Sequence, residues 1–334
     1  MSNEPLVTAM CVNWNGRPFL EKFITTLLES NYKNLEIMIL DCASKDDSVS
    51  FIKKNYPSVK VIEFKKDPGV DYAYNFGLKI ASGKYVMLLN NDIYLPKDTI
   101  SKMVNALAED ENSVVVPTEM DWREQYVSSG ASYYYLDPIY VLTKPFMKFY
   151  KSDKAGPFFV GVVCAIFTKE VLSNTPVNEH IQFYEEMELC WRFHLKGIRL
   201  RVLEDTYVFH KGGGTIKGST KAAYFSSRAM IASHFVCLKP FTFLLFLPLL
   251  VTYYVSKAVL YLITGRFNCF LAFLKGFGNF LGNIRLFMQD RKVTQSQRII
   301  GDKEIIKVML LSCHFLHINH HKKSSLFNII KKAY

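Results

Sequence analysis

The chain has 334 residues, with 41 Lys and Arg against 30 Asp and Glu and a formal net charge of +11 at pH 7. This length supports a large core and an appended region, so a small disulfide-stapled fold is excluded. From Thr206 onward, 18 Lys and Arg stand against three acids. Cations interleaved with long apolar runs are typical of contact with anionic lipids and not of a nucleic-acid groove. We therefore predict a membrane partner and no nucleic-acid partner.

The seven cysteines are scattered, have mostly apolar neighbours and form no Cys-x-x-Cys pair. This usage is typical of reduced core thiols in a cytosolic protein. The N-terminal MSNEPLV has no basic stretch followed by an apolar one, so we predict no secretory signal. We expect the front part of the chain to stay in the cytoplasm.

Strand and helix patterns alternate through the first 90 residues. Apolar, β-rich runs that predict strands cover residues 6–14, 35–41, 59–64 and 84–90. Amphipathic patterns that predict helices cover residues 18–30, 46–55 and 70–81. This alternation predicts βαβ units in a mostly parallel α/β sheet flanked by helices.

Later segments are less uniform. Residues 114–150 are irregular and rich in Tyr, FFVGVVCAIFT at 158–168 returns to strand character, and YVFH at 207–210 ends another apolar strand. The second half of residues 180–197 predicts a helix that is stopped by Gly197.

The C-terminal part contains long apolar runs. The run from Phe241 to Gly265 carries a single charge, Lys257, and about 24 residues at a rise of ~1.5 Å would just cross a ~30 Å hydrocarbon layer. Pro248 and Lys257 weaken the prediction of a span. The next apolar stretch, 267–288, is interrupted by two cations and is more typical of a helix lying in the interface. The sequence leaves open whether residues 241–264 cross the bilayer or dock on it.

Polar residues follow the predicted strands where each strand ends: Asn13 and Asn15, Asp41, then Asp92. Open parallel sheets bind ligands beyond the carboxyl ends of their strands, so this pattern predicts a site. Asp41 is placed to accept hydrogen bonds from a nucleobase or ribose, or else is a solvated loop acid.

The triplet Asn90, Asn91 and Asp92 ends the most apolar strand. A carboxylate there can hold Mg²⁺ or Mn²⁺ against a diphosphate, because these ions often use one or two carboxylates plus substrate phosphates. The alternative is a helix-capping loop.

Three acids, Glu185, Glu186 and Glu188, precede an apolar segment. Clustered carboxylates raise one another's pKa and favour a group that takes a proton near neutral pH. The alternative is a solvated first helical turn that complements the helix dipole.

His210 ends a strand and is followed by Lys211 and three glycines from Gly212 to Gly214. A glycine-rich loop lets backbone amides approach phosphate oxygens, and the histidine could ligate a metal or touch the diphosphate. A structural histidine is the alternative.

Six segments in this order resemble glycosyltransferase family 2, and the rhamnosyltransferase-like branch is the most similar. They are VNWNG (12–16), LDCASKDDS (40–48), NFGLKIASGKYVMLLNNDI (75–93), PFFVGVVCAIFTKEVL (157–172), FYEEMELCWR (183–192) and HKGGGT (210–215). The resemblance covers roughly residues 5–235. It implies a GT-A fold, inverting transfer from a nucleotide-diphosphate sugar, and Mg²⁺ or Mn²⁺ as cofactor.

The resemblance also implies site roles. The implied donor-binding residues are Asn13, Asn15, Asp41, Asn75, Gly77, Asn90, Asn91, Gly161 and Gly212. The implied metal ligands are Asp92 and His210, and the implied base is Glu186, with Glu185 as a possible substitute. Gly161 would lie beside the sugar ring, or simply pack in a strand.

Two departures from the family pattern stand out. The D-x-D element keeps only its last acid, Asp92, and the usual Glu-Asp pair is Glu-Glu. The first departure implies a weakly held metal, and the second makes the base one methylene longer. Arg192 either orients the acids or forms a plain salt bridge.

We accordingly expect a catalytic domain over residues 1–235 and a helical, membrane-associated region over residues 236–334. The expected activity is transfer of a sugar to a lipid-linked or glycan acceptor at the cytoplasmic face of the cell membrane, and a homo-oligomeric state is a further expectation. A membrane scaffold that binds a nucleotide sugar without transferring it is the alternative. A nicotinamide-dependent dehydrogenase is disfavoured because VNWNG replaces the Gly-x-Gly-x-x-Gly motif.

Overall fold

The computed structural model describes residues 4–121, 157–182, 185–211 and 219–309. The strands in these ranges are β1 (Val7–Asn13), β2 (Leu35–Asp41), β3 (Lys60–Glu63), β4 (Tyr85–Leu89), β5 (Ile93–Tyr94), β6 (Ser113–Asp121), β7 (Cys164–Thr168) and β8 (Arg199–His210). The helices are α1 (Arg17–Leu28), α2 (Ser48–Asn55), α3 (Val70–Ile80), α4 (Thr99–Glu109), α5 (Lys169–Asn174), α6 (Glu185–Leu195), α7 (Thr220–Cys237), α8 (Pro240–Ile263), α9 (Phe267–Gly282) and α10 (Ile284–Ser296).

The strands form one sheet in the order β3-β2-β1-β4-β7-β6-β8-β5. Pairings β1–β2, β1–β4, β2–β3 and β6–β8 are parallel, whereas β4–β7, β6–β7 and β5–β8 are antiparallel. The predicted mostly parallel α/β sheet is confirmed. The carboxyl ends of β1, β2 and β4 lie side by side at one edge.

Alternation along the strands divides the core into two layers. Met10 on β1 joins the cluster with α3, α6 and α7, while its neighbours Ala9 and Cys11 join the cluster with α1 and α4. Successive side chains of a strand point to opposite faces, so each strand serves both layers. The sheet is therefore covered by helices on both sides.

The segment from 158 to 163 is not a strand, so the prediction for 158–168 holds only for β7. Phe158, Phe159 and Val160 are nonetheless buried. His194 on α6 hydrogen-bonds to the Phe158 carbonyl at 2.9 Å, and the two rings stack with centroids 5.0 Å apart. The apolar run reflects burial beneath a helix and not strand pairing.

Helix α7 is capped by Ser219, whose Oγ accepts a hydrogen bond from the Ala222 amide at 3.1 Å. It is buried over most of its length, and the larger core cluster continues from it to Phe280 on α9 and Phe287 on α10. The two parts of the chain on either side of residue 235 thus share one core. The division at residue 235 stays a prediction.

Helix α8 is long and apolar enough to cross a membrane, by length and composition, and is alone in this among the helices of the described ranges. Its mean hydropathy is 1.8 over an 18-residue window, and only 6% of that window is buried. A core helix of a soluble protein would be mostly buried, so α8 has the composition of a core element and the exposure of a surface element.

Candidate active site

Asn13 and Asp41 end the neighbouring parallel strands β1 and β2 and are paired in register. The Asn13 Nδ2 atom donates to Asp41 Oδ2 at 2.9 Å and also lies 3.2 Å from Ser44 Oγ. The Ser44 amide donates to Asp41 Oδ1 at 2.9 Å. Both strand-end side chains are buried. The pattern of polar strand ends therefore brings these two residues together, as predicted.

The loop after β1 is shaped by Asn15, which has φ +50°. Asparagine tolerates this left-handed conformation better than most residues. The backbone amide of Asn15 donates to Ser44 Oγ at 2.8 Å, and its side-chain Oδ1 accepts from the backbone amide of Lys45 at 2.7 Å. The neighbouring Trp14 is 57% exposed. Asn15 thus ties the β1 loop to the β2 loop.

Gly16 allows the loop after β4, which contains Asn91, to lie close to the end of β1. A Cβ atom at this position would lie 2.1 Å from Asn91 Nδ2 and 2.2 Å from Asn13 Oδ1. These two atoms are hydrogen-bonded to each other at 2.9 Å. The Asn90 amide donates to the Val163 carbonyl at 3.0 Å. The loop of Asn90 and Asn91 is thereby held against the end of β1.

His210 lies between two carboxylates. Its Nε2 atom is 3.1 Å from Asp92 Oδ1, and its Nδ1 atom is 2.6 Å from Glu119 Oε1. The topology creates this contact, because Ile93 of β5 pairs with His210 of β8 and β6 runs parallel on the other side of β8. All three side chains are between 13% and 19% exposed. Asp92 and His210, far apart in sequence, belong to one cluster.

The charge on His210 follows from this arrangement. Burial opposes protonation, but the hydrogen bonds and negative charges of Asp92 and Glu119 outweigh it and raise the pKa of His210 to about 10. At neutral pH the cluster therefore holds an imidazolium between two carboxylates.

Glu119 had not been identified from the sequence. Its Oε2 atom would lie 3.6 Å from a Cβ atom at Gly161, so the glycine faces the carboxylate cluster. The available signal was its place near the end of an apolar strand, VVVPTEMD. The pairing with His210, 91 residues further on, depends on the order of the strands. Gly161 is thus adjacent to the site, although its contact with a sugar stays a prediction.

The acid helix α6 packs against the segment that leads to Gly161. Cys190 Sγ contacts the Val160 carbonyl at 3.6 Å, one residue before the glycine. Glu186, in the first turn of the helix, is half-buried. Glu186 is thus carried by a helix that lies next to the carboxylate cluster. Its role as the base stays a prediction, as does that of Glu185, whose side chain lies outside the described residues.

Glu188 is a structural acid. It is fully buried, and its Oε1 accepts from Arg192 Nε at 2.7 Å one helical turn later. Arg192 also donates to the Pro176 carbonyl at 2.8 Å. Of the two alternatives for Arg192, the structure has the salt bridge.

Asn178 joins this acid to the C-terminal region. Its Nδ2 atom lies 3.4 Å from Glu188 Oε1 and 3.3 Å from Asp290 Oδ2 on α10. Asp290 also pairs with His180 Nδ1 at 3.0 Å. The acid helix is therefore supported by a helix from the last part of the chain.

Asn75 and Gly77 on α3 are placed differently from the other predicted donor residues. Asn75 Nδ2 donates to the Val177 carbonyl at 2.9 Å and to Glu179 Oε1 at 2.8 Å, and its Oδ1 accepts from the Val177 amide at 3.1 Å. A Cβ atom at Gly77 would lie 2.8 Å from a methyl carbon of Leu40 in the core. Asn75 positions a loop, Gly77 lets the helix approach the sheet, and direct donor contact by either stays a prediction. Gly212 lies outside the described residues.

The capacity for a divalent metal rests mainly on Asp92. Within the ranges that the structure describes, no three His, Cys, Asp or Glu side chains converge to hold an ion. The two carboxylates contact opposite nitrogens of the His210 ring, so they do not meet at a common point. Asp92 contacts His210 through Oδ1, and one carboxylate plus substrate phosphates is a usual Mg²⁺ environment. The residues present fit a metal that arrives with a diphosphate.

A model of the family described as glycosyl transferase family 2 matches residues 9–175, half of the chain. The glycosyltransferase GlyG of Streptococcus pneumoniae is 21% identical over 223 residues, covering 63% of this chain and 72% of that protein. An uncharacterized glycosyltransferase of Haemophilus influenzae is 27% identical over 110 residues, 32% of this chain and 44% of its own length. The chain thus spans less than half the length of several curated relatives that it matches, with 44%, 35% and 36% for three of them.

Solved structures show the same fold. Staphylococcus aureus TarS 1–349 in complex with UDP-GlcNAc has a TM-score of 0.59 at 14% identity, covering 87% of this chain and 91% of that one. The mannosyltransferase PcManGT of Pyrobaculum calidifontis, in complex with GDP-Man and Mn²⁺, has a TM-score of 0.54 at 14% identity, covering 93% and 87%. At these identities the likeness bears on the fold alone, and it confirms the predicted GT-A fold.

Proposed function

This chain belongs to glycosyltransferase family 2, and we propose that it transfers a sugar, with inversion, from a nucleotide-diphosphate donor to an acceptor hydroxyl. The observation that carries the proposal is the cluster of Asp92, Glu119 and His210 beside the buried pair of Asn13 and Asp41. They support the proposal because hydrogen-bonding groups and the carboxylate of Asp92 lie at the carboxyl edge of the sheet, where open α/β sheets bind ligands. The rhamnosyltransferase-like branch is part of the proposal.

The nucleotide is assigned to the β1 and β2 ends. Asp41 accepts two protein hydrogen bonds, and an ionised carboxylate has about four acceptor positions, so it retains capacity for a nucleobase or ribose donor. Asn15 and the loop of Asn90 and Asn91 border the same space. Gly161 leaves room for the sugar ring next to Glu119.

Asp92 would hold Mg²⁺ or Mn²⁺ together with oxygens of the donor. When bound, such an ion neutralises the charge that develops on the leaving diphosphate. His210 keeps both ring nitrogens on carboxylates and carries a proton at neutral pH. His210 lies beside Asp92, so we propose that it contacts the diphosphate or the metal.

Glu186 is proposed as the base. As the acceptor oxygen attacks the anomeric carbon from the face opposite the diphosphate, the carboxylate takes the hydroxyl proton. The bond from that carbon to the diphosphate oxygen breaks, and the nucleoside diphosphate leaves. Glu185 is the alternative base, since it stands in the same helical turn.

The proposed acceptor is a lipid-linked or other glycan hydroxyl at the cytoplasmic face of the cell membrane. The exposed apolar helix α8 and the cationic C-terminal third of the chain support this placement. Residues 1–235 would act as the catalytic domain and residues 236–334 as the membrane-associated region.

The test is turnover by the full chain with a panel of nucleotide sugars, Mn²⁺ or Mg²⁺, and a lipid-linked acceptor, measured as nucleoside diphosphate release. We expect Asp92→Asn and Glu186→Gln each to lower turnover about 10²- to 10⁴-fold. Asp205→Asn and Glu204→Gln are matched controls at exposed positions and should keep wild-type rates.

Two results would contradict the proposal. Turnover that survives in both site variants would remove the assigned roles. Donor binding without turnover under any metal would favour the scaffold. The anomeric configuration of the product, read by NMR against that of the donor, tests inversion.

A further inference from the structure

Helix α8 presents one apolar face to solvent. Its exposed large apolar side chains are mostly three or four residues apart, which is the spacing of one helical face, and exposed Pro248, Thr252 and Ser256 lie among them. This outer stripe consists of Phe241, Leu244, Leu245, Val251, Val255, Val259 and Leu260, with Leu262 and Ile263 at its end.

The opposite face of α8 packs along α7 over most of the length of the helix. Near its start, Phe243 meets Phe235 with ring centroids 5.5 Å apart. In the middle, the Tyr254 hydroxyl donates to the Ser227 carbonyl. Near its end, Tyr261 belongs to the same cluster as Ala223. The two direct contacts are 11 residues apart on α8 and eight apart on α7, in opposite chain directions, so the two helices lie side by side and antiparallel.

Helix α7 is itself buried against the acid helix α6. Ser233 and His234 are fully buried, and the His234 ring lies 5.2 Å from Trp191 on α6. If α8 stood along the membrane normal, the antiparallel α7 would enter the hydrocarbon beside it, including Lys221 and Arg228. Ionised groups at that depth are costly, so this packing disfavours a span.

Helix α9 packs against Tyr254 of α8 and also exposes apolar side chains. Phe267, Leu271, Leu274 and Leu281 are exposed along it. A Cβ atom at Gly276 would lie 2.1 Å from the Tyr224 carbonyl oxygen, so glycine lets α9 approach α7 closely. The outer stripe of α8 and the exposed residues of α9 together form what we call the apolar plate.

A basic pocket opens beside the plate. It has a volume of about 430 Å³ and lies between the first turns of α7 and the middle of α9, lined by Thr220, Lys221, Tyr224, Asn268, Leu271, Ala272 and Lys275. No acid lines it, and within the part of the chain that the structure describes neither lysine has an ion-pair partner. Two ammonium groups with hydroxyl and amide donors fit a phosphate, and the apolar surroundings place that phosphate at a lipid headgroup.

We propose that α8 and α9 lie in the plane of one leaflet, with the apolar plate among the acyl chains and the pocket of Lys221 and Lys275 on the phosphate of an anionic lipid. Neither helix crosses the bilayer. This inference rests on the membrane location in the proposed function but not on sugar transfer, so a catalytically inactive chain would still dock in this way.

Depth measurement along α8 tests the orientation. The full chain carries a nitroxide on one introduced cysteine, Leu244→Cys, Val251→Cys or Val259→Cys, and is bound to vesicles of phosphatidylglycerol and phosphatidylcholine. A helix in the plane places all three labels at a similar shallow depth, roughly 5–10 Å below the headgroups. A spanning helix places residue 251 near the bilayer centre and the other two nearer opposite surfaces, which would overturn the proposal.

Two controls accompany this measurement. A label at Asn55→Cys, exposed at the end of α2, must stay in water. In all of these chains Cys313, which lies outside the described residues, is replaced by Ser. Without an introduced cysteine, this chain must take up little label, because the six native cysteines among the described residues are buried. Labels that all remain aqueous would also overturn the proposal.

Charge reversal tests the pocket. We expect the double variant Lys221→Glu/Lys275→Glu to lose about tenfold or more in affinity for phosphatidylglycerol vesicles, with little change on phosphatidylcholine alone. The matched control is Lys54→Glu/Lys79→Glu, two exposed lysines of the front domain. An equal loss in both pairs would mean that total charge alone decides binding, and the pocket would be refuted. Circular dichroism of each variant checks that folding is retained.

Discussion

Replacing Glu119 by Gln removes one of the two carboxylates that hold His210 while keeping the size of the side chain. The bond from His210 Nδ1 to Glu119 Oε1 is 2.6 Å long, and both side chains are at most 15% exposed. A hydrogen bond to a buried charged group is worth about 2 kcal/mol. We expect Glu119→Gln to lower the free energy of unfolding by about that amount at pH 6.

The effect depends on pH in a defined direction. The pKa of His210 is raised from an ordinary value of 6.5 to about 10, opposed by burial and driven by Asp92 and Glu119. A raised pKa contributes stability that is complete below pH 6.5 and is lost as the pH rises through about 10. The stability gap between wild type and variant should therefore narrow across this window.

The assay is urea unfolding of the metal-free full chain in mild detergent between pH 6 and 10.5, with an NMR titration of the His210 ring. Glu204→Gln, an exposed acid on the same strand β8, is the control and should match wild type throughout. A gap that stays constant over the whole range, or an unchanged His210 pKa in Glu119→Gln, would refute the reasoning.

Three further predictions concern other parts of the structure. Gly16→Ala places a Cβ atom 2.1 Å from an amide nitrogen of the neighbouring loop, so donor affinity measured by calorimetry should fall, whereas Gly278→Ala, with nothing within 4 Å, should not change it. The pKa of His194 is lowered to about 4, chiefly by burial. The free energy of unfolding should therefore drop by no more than about 3 kcal/mol as the pH falls from 6.5 to 4. If His194→Gln loses the same stability over this pH range, His194 is not the cause. Arg192→Met leaves the buried carboxylate of Glu188 without its cation and should cost about 3–5 kcal/mol in urea unfolding, and a double change with Glu188→Leu should recover most of that loss.

The residues at the carboxyl edge of the sheet could be predicted from the sequence because each depends only on a short segment of the chain. Asn13, Asp41 and Asp92 each follow an apolar strand directly, and parallel strands bring such ends together. Each end of the first seven elements lies within two residues of its predicted position. Local pattern suffices where each strand is followed by its own helix.

The three missed features below depend on distant contacts or on burial, whereas α4, which is amphipathic, was missed without such a reason. Glu119 acquires its place only when β6 pairs with β8, which residue spacing does not reveal. Helix α7 was not predicted, because a helix buried on most sides has no polar face to mark its period. The segment 158–163 was predicted as a strand because it is apolar. It is apolar because α6 covers it, and it is not paired in the sheet.

The contact of Asn178 with both Glu188 and Asp290 decides which changes can be made to prepare this protein without detergent. Cutting the chain after the front domain would remove Asp290 together with the apolar helices, and the loop before the acid helix would lose its brace. Truncation would then remove the exposed apolar helices and this brace together. Polar replacements confined to the outer stripe of α8 would leave that brace intact, and are the better route to a detergent-free preparation.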